Sequence, residues 1–308
     1  MINNKKAKFL LKSRILKTKD FQPKNSILIF SEPRSGSTWL AELLQYLPNS
    51  IIHWEPLNPQ KGSVPEAYNW GWRPFLAKEK DNQEVAQFME QLLRFSKATT
   101  WTSKYVSVKT AMKAQWVIHK IVRGNLMLPW ILKHLPLERP PILLLRHPIT
   151  TCQSQIKNFN INPDKIELTP NGVNEQAFEQ HLDFLKGLSS VLEVKVAYWC
   201  MNHAPILQDK DSLNQCCIVH YEDLVVNPTE EFKRIAKTLE LPLADADLQK
   251  LNFRKASASD FKKNFSDDIQ TQLNKGLNLL DDQVKHRIQQ VFDYFELKCY
   301  DAFSVLKK

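Results

Sequence analysis

The chain has 308 residues, 43% of them hydrophobic and 24% charged, with a formal charge of +9. That length and balance suit one large α/β domain or two smaller ones, and exclude a disordered chain or a membrane bundle. Five cysteines, at 152, 200, 216, 217 and 299, form no C-x-x-C pair and have no histidines at zinc-finger spacing, so they read as reduced thiols of a cytosolic protein.

The predicted elements run as follows. Residues 1–24 hold eight Lys or Arg and one acid, a net of +7, which leaves only +2 for the other 284 residues. The basicity is therefore that of an N-terminal arm and argues against a nucleic-acid-binding body. The arm lacks the apolar run of a signal peptide or a spanning helix. It is expected to be a solvated extension, or a weak contact for an acidic membrane surface. Residues 26–30 (SILIF) read as a buried strand, and 38–47 as a helix. Strands are expected at 51–54, 105–108 and 142–145. Pro148 opens a helix to about 158. Residues 174–208 read as largely helical, 216–221 as a strand, 229–239 and about 281–305 as helices. Four prolines and an NWGW stretch make 56–83 a long irregular excursion. Strands alternating with helices imply a parallel central sheet flanked by helices, an α/β fold, with 25–308 as its single domain.

Glycine is scarce. Ordinary usage would give about 21 in such a chain, against seven here. One of the seven stands in ILIFSEPRSGSTWL, residues 27–40, where a strand runs through a short hydroxyl-rich loop into a helix. Backbone N–H groups and a helix N-terminus then face one spot, which suits an anion. Ser37 or Thr38 can cap the helix, and Arg34 adds a permanent charge. An ordinary capped turn would read similarly. A Walker A motif is absent, since Ser37 follows Gly36 where a lysine is needed.

PRSGSTWL resembles the 5′-phosphosulfate loop of the sulfotransferases that use PAPS (3′-phosphoadenosine 5′-phosphosulfate). Three later segments resemble that family in order. In LLLRHPITTCQSQ, residues 143–155, Arg146 and Ser154 take the places of a 3′-phosphate motif. In HYEDLVVNP, Tyr221 corresponds to a tyrosine near the adenine. In FRKASASDF, residues 253–261, Arg254, Lys255 and Asp260 match a second 3′-phosphate clamp, while Ala256, Ser259 and Phe261 depart from it. The resemblance implies a P-loop-like sulfotransferase fold and a donor site of Arg34, Ser35, Gly36, Ser37, Thr38, Trp39, Arg146, Ser154, Tyr221, Arg254 and Lys255. It implies PAPS as donor, adenosine 3′,5′-bisphosphate as product, and no metal.

Sulfuryl transfer needs a base for the acceptor hydroxyl and positive charge for the leaving oxygen. The family's small-molecule branch places a histidine in a K-T-H-like segment. VKTAM, residues 108–112, has Ala111 at that place. Other branches use a glutamate, and Glu55 in HWEPL is the expected base, with His53 as competitor or helper. Lys109 resembles a lysine near the sulfuryl group, although a lone lysine there is as readily a solvated charge. Glu32 lies in the loop and would repel the donor. E-P-L resembles a segment of the Golgi carbohydrate sulfotransferases, which implies a carbohydrate or glycolipid acceptor, with Trp70 and Trp72 of the excursion offered as stacking faces. A small-molecule alcohol sulfotransferase and a catalytically silent nucleotide-binding protein are the alternatives.

Overall fold

The computed structural model describes residues 4–169, 175–243, 247, 251–253 and 268–307. Five strands form one all-parallel sheet: β1 (Ser26–Ser31), β2 (Ser50–Trp54), β3 (Trp116–Val122), β4 (Ile142–Leu145) and β5 (Cys217–His220), in the order β2-β3-β1-β4-β5. Every residue of β1 is buried. It is the central strand, covered on both faces, and such strands carry near-continuous apolar runs. From β1 the sheet grows in two directions, to β3 on one side and β4 on the other. A doubly wound sheet opens its ligand crevice at such a point, beyond the carboxyl ends of the strands.

The helices, in chain order, are α1 (Asn4–Lys19), α2 (Ser37–Leu44), α3 (Gln83–Leu93), α4 (Val108–Lys113), α5 (Leu128–His134), α6 (Pro148–Asn158), α7 (Glu175–Gln180), α8 (Leu182–Lys186), α9 (Val191–Leu207), α10 (Lys210–Leu213), α11 (Tyr221–Val226) and α12 (Pro228–Thr238). Two further helices span Ile269–Asn274 and Asp282–Tyr294. None among the described residues is long and apolar enough to cross a membrane.

Two expectations need correction. The arm is not a solvated extension. Over Asn4–Lys19 it is a helix that packs on α4. Leu16 is fully buried there, and it shares a small second core with Phe21, Ile51, Phe95, Val106, Ala111, Ala114 and Val117. The Lys12 and Lys19 ammonium groups donate to the carbonyls of Ser103 and Ala114. A few apolar side chains bury the inner edge, and Lys5, Lys6, Lys8 and Lys17 are exposed on the outer one. The strand expected at 105–108 is also absent. Those residues lead into α4, and the true strand is β3, WVIHKIV, where His119 and Lys120 interrupt the apolar run.

Candidate active site

The anion loop follows β1 directly. Arg34 (φ 71°) and Gly36 (φ 95°) both adopt left-handed backbone. Gly36 caps α2, so Ser37 and Thr38 are its first helical residues rather than its cap. The glycine has two reasons to be there. Its φ disfavours any side chain, and a Cβ would stand 2.5 Å from Cδ2 of Tyr221. The Ser35 hydroxyl donates to the Glu32 carbonyl (2.7 Å), closing the turn.

Distant segments converge on this loop. The Arg34 Nε donates to Oγ of Ser154 on α6 (3.1 Å), and the Arg146 Nη1 donates to the Arg34 carbonyl (2.9 Å). The Arg146 guanidinium lies 4.4 Å from the Tyr221 ring centre. Trp39 is buried and meets Tyr221 edge to face at 5.8 Å. Thus Arg34, Ser35, Gly36, Ser37, Thr38, Trp39, Arg146, Ser154 and Tyr221 form one cluster. Arg254, Lys255 and Asp260 lie outside the described residues.

The residue after Tyr221 ties the site to the C-terminal segment. Glu222 accepts from the His147 N–H (2.8 Å) and the Tyr300 hydroxyl (2.9 Å). Burial raises its pKa, and these hydrogen bonds and Arg146 only partly oppose that. Tyr300 in turn bonds His220. This buried chain of polar groups holds the ends of β4 and β5 in place.

Glu55 stands just past β2, at φ 41°. Its N–H donates to the Lys120 carbonyl, and the Lys120 Nζ is 2.8 Å from its Oε1. The Arg123 Nη1 is 3.7 Å from Oε2. Burial pushes the Glu55 pKa up, but Lys120, Arg123 and Lys104 together outweigh it and hold the carboxyl below its ordinary value. Lys120 is buried at the sheet end. Burial lowers its pKa to about 8, with Glu55 opposing the shift.

Lys120 and Arg123 are the cations that sequence reasoning missed. The resemblance points to Lys109 near the sulfuryl group, but that residue is exposed on α4. The available signal was a charge inside an apolar run: a lysine in WVIHKIV must find a partner. His53 is also not beside Glu55. It is fully buried, stacked on Phe95 at 3.8 Å, with its Nδ1 3.0 Å from that of His119. The left-handed turn at residue 55 breaks the strand alternation that would have put both on one face.

A cavity of about 760 Å³ opens beside the loop. Its inner end is formed by Glu32, Pro33, Arg123 and Arg73. Glu32 is 2% exposed and neutralised by Arg73 (2.6 Å), with Gln155 and Asn202 donating to its carboxylate (both 3.3 Å). Trp72 lines the cavity under the Arg123 guanidinium at 4.8 Å, whereas Trp70 packs against Tyr68 and Phe88.

Fold and site thus define an α/β protein with a phosphate-type loop after β1 and a carboxylate–lysine pair at the ends of β2 and β3. The model of the sulfotransferase family matches residues 26–245, and the chain belongs to that family. It is accordingly a sulfotransferase, an enzyme that moves a sulfuryl group. No curated protein matches the chain significantly. Among solved structures it is similar to the sulfotransferase domain of the Synechococcus PCC 7002 olefin synthase, at 17% identity and TM-score 0.47, covering 90% of this chain and 95% of that one. It is also similar to mouse sulfotransferase SULT7A1 complexed with PAP, at 12% identity and TM-score 0.46, covering 94% and 90%. The sulfotransferase domain from the curacin biosynthetic pathway is similar at 17% identity and TM-score 0.45, covering 88% and 96%.

Proposed function

We propose that the chain transfers a sulfuryl group from PAPS to an acceptor hydroxyl and releases adenosine 3′,5′-bisphosphate. The observation that carries this reading is the convergence of Arg34, Ser154 and Arg146 on the left-handed loop around Gly36. Fixed N–H groups, a helix N-terminus and two guanidinium groups suit a ligand with two phosphate-like ends. When bound, that donor supplies an activated sulfuryl group on a nucleotide leaving group.

The chain's own residues do the remaining work. The loop and Arg34 hold the 5′ end, and Arg146 with Ser154 holds the 3′-phosphate. Arg254 and Lys255 join that grip on the motif resemblance alone. Glu55 is ionised near neutral pH and accepts the proton of the acceptor hydroxyl. Lys120 takes the role expected of Lys109, offsetting charge on the leaving oxygen. As Lys120 turns toward that charge it weakens its hold on Glu55, whose basicity rises when it is needed.

The acceptor enters through the cavity that Trp72 lines, and the resemblance of E-P-L around Glu55 to the Golgi carbohydrate sulfotransferases supports a carbohydrate or glycolipid hydroxyl. We place the enzyme in a reducing, cytoplasmic setting, a reading supported by five free cysteines. The exposed Lys6, Lys8, Arg14, Leu10 and Leu11 of α1 support weak contact with an acidic membrane surface.

The test is transfer of radiolabelled sulfate from PAPS to an acceptor panel, alongside binding of adenosine 3′,5′-bisphosphate. Glu55→Gln is expected to lower turnover by about 10²- to 10⁴-fold while nucleotide binding persists. Nucleotide binding with no acceptor ever sulfated would favour the silent binding protein. Failure to bind the nucleotide at all would overturn the donor assignment.

A further inference from the structure

One wall of the cavity is a single helical stripe. Val191, Val194, Lys195, Tyr198, Trp199 and Asn202 of α9 all line it. Their spacing of three and four residues puts them on one face. Two polar groups on this stripe lack the partners their burial calls for.

The first is Asn202, 4% exposed, whose Nδ2 donates to Glu32 Oε1 (3.3 Å). That bond fixes the amide orientation, because a carboxylate only accepts. The Asn202 Oδ1 is therefore an acceptor, and it has no hydrogen-bond partner. A buried acceptor of this kind calls for an O–H or N–H from a ligand.

The second is Lys195, partly buried in the same wall. Burial lowers its pKa, the Arg73 charge lowers it further, and the attraction of Glu167 does not offset them. The acids around the cavity are committed elsewhere. Glu32 pairs with Arg73 (2.6 Å), Glu167 with Lys165 (2.6 Å) and Glu55 with Lys120 (2.8 Å). Among the described residues no carboxylate is in ion-pair contact with the Lys195 ammonium group: Glu167 acts on it only at longer range, and the Tyr198 ring is 5.7 Å away. A half-buried cation without a contact ion pair marks a place for an anion.

Asn202 sits at the Glu32 end, beside the loop and the Arg123 side of the site. Lys195 lies seven residues earlier on the same face, roughly 10 Å along the helix axis. Between them the wall is apolar and aromatic. We propose that the acceptor is an anionic amphiphile: its hydroxyl end bonds Asn202 near the reacting groups, an apolar stretch lies along Val194, Tyr198 and Trp199, and a carboxylate pairs with Lys195. This rests on the sulfuryl-transfer reading and narrows its acceptor class.

The probes are ω-hydroxyalkanoates of about six to about twelve carbons, chosen to span that separation, and their methyl esters. Each ester keeps the hydroxyl and the chain and loses only the charge. Binding is followed by quenching of the cavity tryptophans in the presence of adenosine 3′,5′-bisphosphate. The acid of best-fitting length is expected to bind about 10- to 100-fold more tightly than its ester. Lys195→Gln should bring that ratio close to one, and Lys195→Arg should restore most of it. Retained nucleotide binding reports that each variant is folded. Equal affinity for acid and ester in the wild type, binding of neither, or an equal loss of both in Lys195→Gln, overturns the proposal. A Lys195-dependent preference with no sulfated product from PAPS would leave the anion site standing and sink the transfer reading. Sulfation with no preference for acids does the reverse.

Discussion

The loop side and the cavity side of the site are built in opposite ways. The loop side is largely backbone from one contiguous stretch, residues 31–39, with two left-handed residues aiming its N–H groups. Other elements clamp it by few contacts: Arg146 to the Arg34 carbonyl and Ser154 to the Arg34 side chain. The cavity side is lined by residues brought from the loop, the excursion, the end of β3, α6, the irregular segment 159–169 and α9. Backbone recognition tolerates little sequence change because one conformation must be kept. Side-chain recognition tolerates much, because each wall residue is an independent choice. A loop side that stays recognisable beside a cavity side that does not is the outcome.

Several changes would break or sharpen this contrast. The largest effect is expected from Arg34→Ala with Arg146→Ala. Losing two charge-assisted grips should weaken nucleotide binding by about 10²- to 10⁴-fold, read by calorimetry. Cavity ligands should bind as before; a comparable loss there would mean that the two sides are not separate. Gly36→Ala should follow. The left-handed backbone costs about 1–2 kcal/mol, and the new Cβ meets the Tyr221 ring. Nucleotide affinity should drop about 10- to 100-fold, and wild-type affinity would show that the loop conformation is not the recognition element.

Glu32→Gln tests the other side. It keeps the shape but leaves Arg73, the tether of the excursion, without its counterion. The acceptor KM should rise about tenfold, as expected for loss of a charged hydrogen bond, with nucleotide affinity within about twofold. A smaller effect concerns pH. Lys120 titrates at about 8 in its buried place. Its positive charge is present below that value and lost above it, so kcat should fall as pH rises past about 8. On the acid side the rate should hold until pH drops below the ordinary carboxylate range, because Glu55 keeps its charge there. Lys120→Arg should move the basic limb upward. An unmoved limb would assign it to another group.

Much of the loop side is legible in the amino-acid sequence. Arg34, Gly36, Arg146, Ser154 and Tyr221 stand in local patterns whose physical logic, a strand ending in a glycine-bearing turn at a helix start, belongs to the chain itself. The fold brings them together. Glu55 is legible too, as a carboxylate at a strand end. Its partner is not. Lys109 and Lys120 are both lysines near apolar runs, and only the register of β3 against β1 and β2 puts the second at the crevice. The same holds for His53, whose nearness to Glu55 along the chain says nothing once a left-handed residue intervenes.

The sequence alone determined what short-range physics decides: an all-parallel sheet from buried apolar runs, an anion loop from one glycine among hydroxyls, and a basic arm from its clustered lysines. Tertiary structure decided what depends on distant segments meeting. The arm became a docked helix because Leu16 found a second core. Arg73 of an irregular excursion became the counterion of Glu32, and one face of α9 became a cavity wall. Local propensity acts over a few residues, while pairing of charges and burial of side chains act between residues far apart along the chain.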